Sequence, residues 1–253
     1  MNIFFIREKY NRPITIMLAI LLPLATLSAC TSTMLDEEAC ENVPQVDMVD
    51  TQGLIQFDAQ LNGDLNSFTL CGDDGPLFDN RFSPYKGGAL SPDLVVEYWT
   101  ALQCPHCAHF EAYVDELLRE QPRINNRVRF YFHHYAWNDY VHYHQAAFAI
   151  SQQGMDRFWQ FHDILQANTN RYYDYLDLHD IAQFNIQADM SQYDLLTSSA
   201  NAEGAKVLNY LEYEKKVARA HCVTATPTVF LCGKRISDWR ELNKHISAYF
   251  QTN

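Results

Sequence analysis

The chain has 253 residues, 47% of them apolar, and a formal net charge of −12. That length suits one domain carrying an insertion or an N-terminal appendage, and the apolar share is ample for a core. The acidic balance disfavours nucleic acid, or an anionic lipid surface, as a partner recognised through a basic patch.

Arg7, Lys9 and Arg12 precede an apolar stretch from Ile14 to Leu27 that Pro23 interrupts. The stretch is short for a membrane span and about right for the hydrophobic region of an export signal. It ends in Leu27-Ser28-Ala29-Cys30, which resembles a bacterial lipoprotein processing site; the resemblance implies that 1–29 is a signal peptide and that Cys30 carries lipid on its sulfur. An ordinary signal peptide and an uncleaved anchor are the alternatives. Each reading places the remainder outside the cytoplasm, in the cell envelope facing the periplasm, and Thr31 after Cys30 favours the outer membrane by resemblance to lipoprotein sorting. Residues 1–29 hold three of the 19 basic and one of the 31 acidic residues, so the charge without them becomes −14. Attachment to the lipid bilayer would then rest on the lipid at Cys30.

Residues 30–49, with Asp36-Glu37-Glu38, read as an acidic tether. In 50–92, Ile55, Phe57, Ala59 and Leu61 alternate, Asn62-Gly63-Asp64 supplies turn chemistry, and Leu65 to Cys71 follows, which predicts a β-hairpin and an irregular connection. Leu94 to Trp99 is an apolar run of strand length. Cys104-Pro105-His106-Cys107 comes next, and Phe110, Tyr113, Val114, Leu117 and Leu118 recur at helical spacing until Gln121-Pro122 stops the pattern. Asn125-Asn126 reads as a turn and Val128 to His133 as a second strand. From about Tyr143 to Ala220 the signals are helical, with Tyr172-Tyr173-Asp174-Tyr175 capping that block and the histidines at 133, 134, 142 and 144 lining its core or surface. Thr226 to Leu231, a turn at Gly233-Lys234, and a helix with Trp239, Leu242, Ile246, Tyr249 and Phe250 on its buried face complete the chain; Asp238 and Glu241 form a candidate capping box for that helix. The order is β-α-β, a helical block, then β-β-α. The predicted class is α/β, a thioredoxin-like fold with an inserted helical domain at about 143–220, preceded by a small β-hairpin appendage.

Three segments resemble the DsbA-like thiol:disulfide oxidoreductases: Cys104-Pro105-His106-Cys107, Gly154 to Asp163 with its Phe158-Trp159 and His162-Asp163 pairs, and Val223 to Lys234 around Thr226-Pro227. The resemblance covers about Asp93 to Phe250. The family commonly has glycine where Cys222 and Ala225 stand, and its buried acid lies six residues before the first active cysteine, whereas Glu97 lies seven before Cys104. Glu97 is therefore either a proton acceptor for Cys107 or a strand carboxylate paired with a neighbour.

Disulfide exchange needs a thiolate, and a helix N-terminus would stabilise one on Cys104, with His106 as a further donor or positive charge. The resemblance implies that Cys104 and Cys107 form the redox-active disulfide, with no other cofactor, and that Thr226, Pro105 and a cis Pro227 present an edge to an extended substrate. The implied function is an exported, lipid-anchored oxidase that gives its disulfide to folding proteins with free thiols, acts as a monomer, and is reoxidised by a membrane partner. An isomerase or reductase on the same fold is one alternative; a non-catalytic metal-handling or adhesive lipoprotein is another, with Cys104, Cys107 and His109 as zinc-compatible ligands. No metal is assigned. Of the remaining thiols, position suggests a Cys40–Cys71 bridge, and geometry suggests Cys222–Cys232 unless those two are free and buried.

Overall fold

A computed structural model describes residues 50–56, 69–74, 76–88 and 92–252. The expected signal peptide and tether, Cys30, Cys40 and most of the expected hairpin lie outside the described residues. The described end of that hairpin is not a strand: Thr69–Asp74 is a 3-10 helix.

The sheet is built around β2 (Leu94–Thr100), every residue of which is buried. It pairs in parallel with β3 (Val128–His134) and antiparallel with β4 (Thr228–Leu231). A two-residue strand β1 (Tyr85–Lys86) lies antiparallel on β3, and β5 (Lys234–Ile236) lies antiparallel on β4, giving the order β1-β3-β2-β4-β5. β1 falls where the sequence reads as irregular, because two residues are too few to show an alternating pattern.

Parallel pairing of β2 with β3 requires a crossover, supplied by α1 (Pro105–Glu120) and α2 (Pro122–Arg127). Pro122 does end α1, as its ring demands, but it also serves as the first residue of α2, where its missing N–H costs nothing. Asn125 and Asn126 are consequently helical and not a turn. After β3 come α3 (Val141–Ser151), α4 (Met155–Gln166), α5 (Tyr175–Asp180), a π-helical turn over Ile181–Asn185, α6 (Met190–Thr197) and α7 (Ala202–Ala220). α3 is buried along nearly its whole length, its polar side chains included: His142 meets the Tyr173 carbonyl, His144 meets His134, and Gln145 donates to the Leu196 carbonyl. Asp174, Asp189 and Asn201 cap α5, α6 and α7 with side-chain oxygens. Asp238 accepts from the Arg240 N–H at a 3-10 turn, and α8 (Leu242–Thr252) starts one turn later, burying Leu242 and Ile246. Glu241 pairs with Lys244 and so does not close the expected capping box.

Alternation along β2 divides its side chains between two layers. Tyr98 meets Phe110 of α1, ring centroids 5.1 Å apart. Glu97 and Trp99 point the other way, where Phe78, Trp99, Ala218, Val223 and Phe230 form a second core cluster. At the junction of β3 with the helical insertion, His133 Nδ1 lies 3.1 Å from Glu214 Oε1 and His134 Nδ1 lies 2.9 Å from His144 Nδ1, all buried.

Candidate active site

The turn after β2 delivers Cys104 to the N-cap position of α1, in extended conformation, with Pro105 following as the first helical residue. Pro105 and His106 are exposed, Cys104 is partly exposed and Cys107 is fully buried. Both cysteines are free thiols in this structure. The Thr226–Pro227 peptide is cis, as the resemblance implied, and the Cys104 thiol donates to the Thr226 carbonyl at 3.5 Å. The Thr226 hydroxyl is buried without another partner.

Two thiols one helical turn apart therefore acquire opposite characters. The Cys107 thiol, hydrogen-bonded to Cys104, is the largest influence on it; burial opposes ionisation, while the backbone N–H groups of Cys107 and His106 and the side chain of Thr226 favour it. Together they hold Cys104 down at about 5. Burial, then the hydrogen bond with Cys104 and its negative charge, push Cys107 well above the ordinary thiol range. The part His106 plays is that of its backbone N–H.

Glu97 sits on the face of β2 opposite α1. Its carboxylate is taken by the Leu77 N–H at 2.8 Å, the Phe78 N–H at 2.9 Å and Asn80 Nδ2 at 2.9 Å. Pairing with neighbours is thus what its hydrogen bonds show. The carboxylate on the α1 side is Glu111, one turn beyond Cys107 and buried. Lys86 Nζ lies 3.4 Å from it and His162 Nε2 3.5 Å. Burial alone would raise its pKa, but Lys86 and His162 outweigh that and hold it at about 2. Tyr98, whose surroundings include both Glu111 and Cys107, completes this polar cluster. The available sequence signal was the four-residue spacing from Cys107 to Glu111, which places both on one helix face.

The structural bridges differ from the expected pairing. Cys71 is joined to Cys232, Cα atoms 5.2 Å apart, so neither Cys40–Cys71 nor Cys222–Cys232 exists. The reason lies in two backbone contacts: Leu70 N–H donates to Asp93 O, and Cys232 N–H donates to Val95 O, which brings both cysteines to the start of β2. Cys222 is also disulfide-bonded. Its φ is +56°, the left-handed region that favours glycine. Among the described residues, no group of three or more His, Cys, Asp or Glu side chains is arranged to hold a metal ion.

A central mixed sheet, a dithiol at a helix N-terminus and a facing cis-proline loop define a thioredoxin-fold protein with a helical insertion. Residues 83–248 match the thioredoxin family, and the chain belongs to it. BdbD from Bacillus subtilis, in its oxidised form, shares the fold at 16% identity with a TM-score of 0.57, over 68% of this chain and 95% of that one. The catalytic domain of Proteus mirabilis ScsC does so at 16% identity and 0.55, over 68% and 92%. The thiol-disulfide exchange protein alpha-DsbA2 from Wolbachia pipientis gives 16% and 0.54, over 66% and 86%. No curated protein matches the sequence. The thioredoxin-like fold expected from the resemblance thus holds, and the family shown is thioredoxin.

Proposed function

We propose that this chain is an exported thiol:disulfide oxidoreductase that donates the Cys104–Cys107 disulfide to thiols of folding proteins. The observation that carries the reading is the asymmetry of the pair: Cys104 ionises near 5 while buried Cys107 keeps its proton. In the oxidised enzyme a substrate thiolate attacks Cys104 Sγ, the Cys104–Cys107 bond breaks, and Cys107 leaves and takes up a proton. A second substrate thiolate then attacks the substrate sulfur of the mixed disulfide and expels Cys104 as a stable thiolate. The substrate dithiol loses two electrons and the enzyme disulfide gains them, becoming the dithiol. A leaving thiol of low pKa departs faster, which favours donation over acceptance of the disulfide. The Thr226 backbone beside Cys104 offers an edge for an extended substrate segment, in keeping with the thiol-disulfide exchange named for the Wolbachia protein.

The reduction potential of the pair tests the direction. A value near that of DsbA, about −120 mV, is expected; one near that of thioredoxin, about −270 mV, would replace donation by reduction. Anchoring by lipid on Cys30, facing the periplasm, belongs to the same proposal, supported by the processing-site resemblance; among the described residues no helix is long and apolar enough to cross a membrane. Fatty-acid labelling that survives Cys30→Ser would remove it. A membrane partner that accepts the electrons and a monomeric working state complete the proposal.

A further inference from the structure

We infer that residues 76–83 are a strap that positions the substrate-presenting loop 221–227 from behind the sheet, with Phe78 and Glu97 as its positioning residues. This rests on the oxidoreductase reading of Cys104 and Thr226. Three donors of the strap, the N–H groups of Leu77 and Phe78 and the amide of Asn80, converge on the Glu97 carboxylate, which is wholly buried. Burial pushes the Glu97 pKa up, and His133 and these three donors work against the rise. Further along, Ser83 Oγ lies 3.3 Å from His133 Nδ1, and the Pro84 carbonyl accepts from the Phe132 N–H on β3.

Held in this way, the Phe78 ring becomes the hub of the second core cluster. It packs edge-on at 5.1 Å from Trp99, 5.3 Å from His133, 5.0 Å from His221 and 5.2 Å from Phe230. His221 closes α7 and opens the loop, while Phe230 belongs to the strand that leaves it. Between α7 and β4 only Val223 is buried, and it packs in the cluster organised by Phe78. Arg235 holds the Cys222 carbonyl and Thr228 holds that of Ala225. The apolar footing of the loop is therefore Val223 and His221 on Phe78. The Cys71–Cys232 bridge ties the chain just before the strap to the far end of β4, so strap and loop share one covalent frame.

The dithiol lies across the sheet, on α1. Loosening the strap should disturb how a peptide aligns on Thr226 and leave the sulfur chemistry as it was. The test uses full-length Phe78→Ala, Phe78→Leu and Glu97→Gln proteins. Steady-state oxidation of a reduced peptide is measured beside the reaction with dithiothreitol, which is too small to use the loop edge, and hydrogen exchange is followed at 222–227. For Phe78→Ala we expect KM for the peptide to rise about tenfold, equivalent to about 1.4 kcal/mol of lost alignment. kcat and the dithiothreitol rate should hold, exchange at 222–227 should quicken, and Phe78→Leu should restore most of the KM. If Phe78→Ala does not fold, Phe78→Leu and Glu97→Gln carry the same test with smaller shifts in the same direction. An unchanged KM with faster exchange, or exchange no faster at 222–227 than in α1, would overturn the strap. A wild-type protein that reacts with dithiothreitol but never oxidises peptide would instead overturn the proposed function, and the exchange data would still decide the strap.

Discussion

At the residue scale, the site separates what a side chain does from what its backbone does. His106 is exposed, and its contribution to the Cys104 thiolate is an N–H. His106→Ala keeps that N–H and should leave the Cys104 midpoint near 5, whereas His106→Pro deletes it and should raise the midpoint. Thiolate absorbance against pH reads both; equal shifts in the two variants would return the role to the imidazole. In the reverse direction Cys107 would attack Cys104 and release a stalled mixed disulfide, so Cys107→Ser should accumulate mixed disulfides on Cys104, seen as substrate adducts on a non-reducing gel, and Cys104→Ser should form none. The pair itself was legible from Cys104-Pro105-His106-Cys107 and its flanks. Glu97 was legible as a buried acid but not in its role, because its partners are two backbone N–H groups and the Asn80 amide on a segment with no regular pattern. Glu111 went unseen because a carboxylate in an amphipathic helix reads as a solvated face until Lys86 and His162 are brought to it.

At the scale of elements, β2, α1, β3 and α8 follow from sequence pattern, since each shows a largely apolar run of strand length or a full helical stripe. The strap shows neither. Leu77, Phe78 and Phe82 are isolated apolar residues among Asp, Asn and Pro, and only tertiary contacts give them an order. The bridges were hidden for a related reason: nearness in sequence suggested Cys222–Cys232, while the 3-10 helix at Thr69–Asp74 and the register of β4 on β2 decide the real pairing. A bridge between residues 161 apart restricts the unfolded chain strongly. Replacing both Cys71 and Cys232 by Ala should cost up to about 5 kcal/mol by loop entropy, with α1 and the dithiol chemistry intact. Denaturant unfolding measures the first and the dithiothreitol reaction the second; a loss under about 1 kcal/mol would mean that the N-terminal segment is held by its packing alone.

For the whole molecule, buried ionisable groups set the response to pH. Burial pushes His144 down to about 3 and His134 well below its ordinary 6.5. Because the unfolded chain binds those protons first, their neutral burial is favourable above 6.5 and becomes a liability as pH falls toward 3. Glu111 acts in the same sense: its contribution is complete above 4.5 and is lost as pH falls through about 2. His162 runs the opposite way. Burial opposes its charge but Glu111 outweighs burial and raises its pKa, so its contribution is complete below 6.5 and is lost as pH rises through the folded value. In the oxidised protein, where Cys104 does not titrate, thermal midpoints should therefore peak near pH 6.5 and decline on both sides. His144→Gln should flatten the acid limb and His162→Gln the alkaline one; limbs unchanged by either substitution would assign the pH response elsewhere.

The Cys71–Cys232 bridge also bears on how the protein comes into being. A ribosome makes this chain from its amino end, and an exported chain would be threaded in the same order. When Cys71 first reaches an oxidising compartment, Cys104 and Cys107 follow within a few dozen residues, but Cys232 is still 161 residues away. For that interval the thiols open to Cys71 include Cys40, exported before it, and the two that must stay free of it. The correct partner arrives only with β4, almost the last element made, and only then do the contacts of Leu70 with Asp93 and of Cys232 with Val95 bring the two sulfurs together. Each newborn copy must pass its reactive dithiol through a period of tempting wrong partners and close a non-consecutive link around it, which is the difficulty its own chemistry would relieve in other chains.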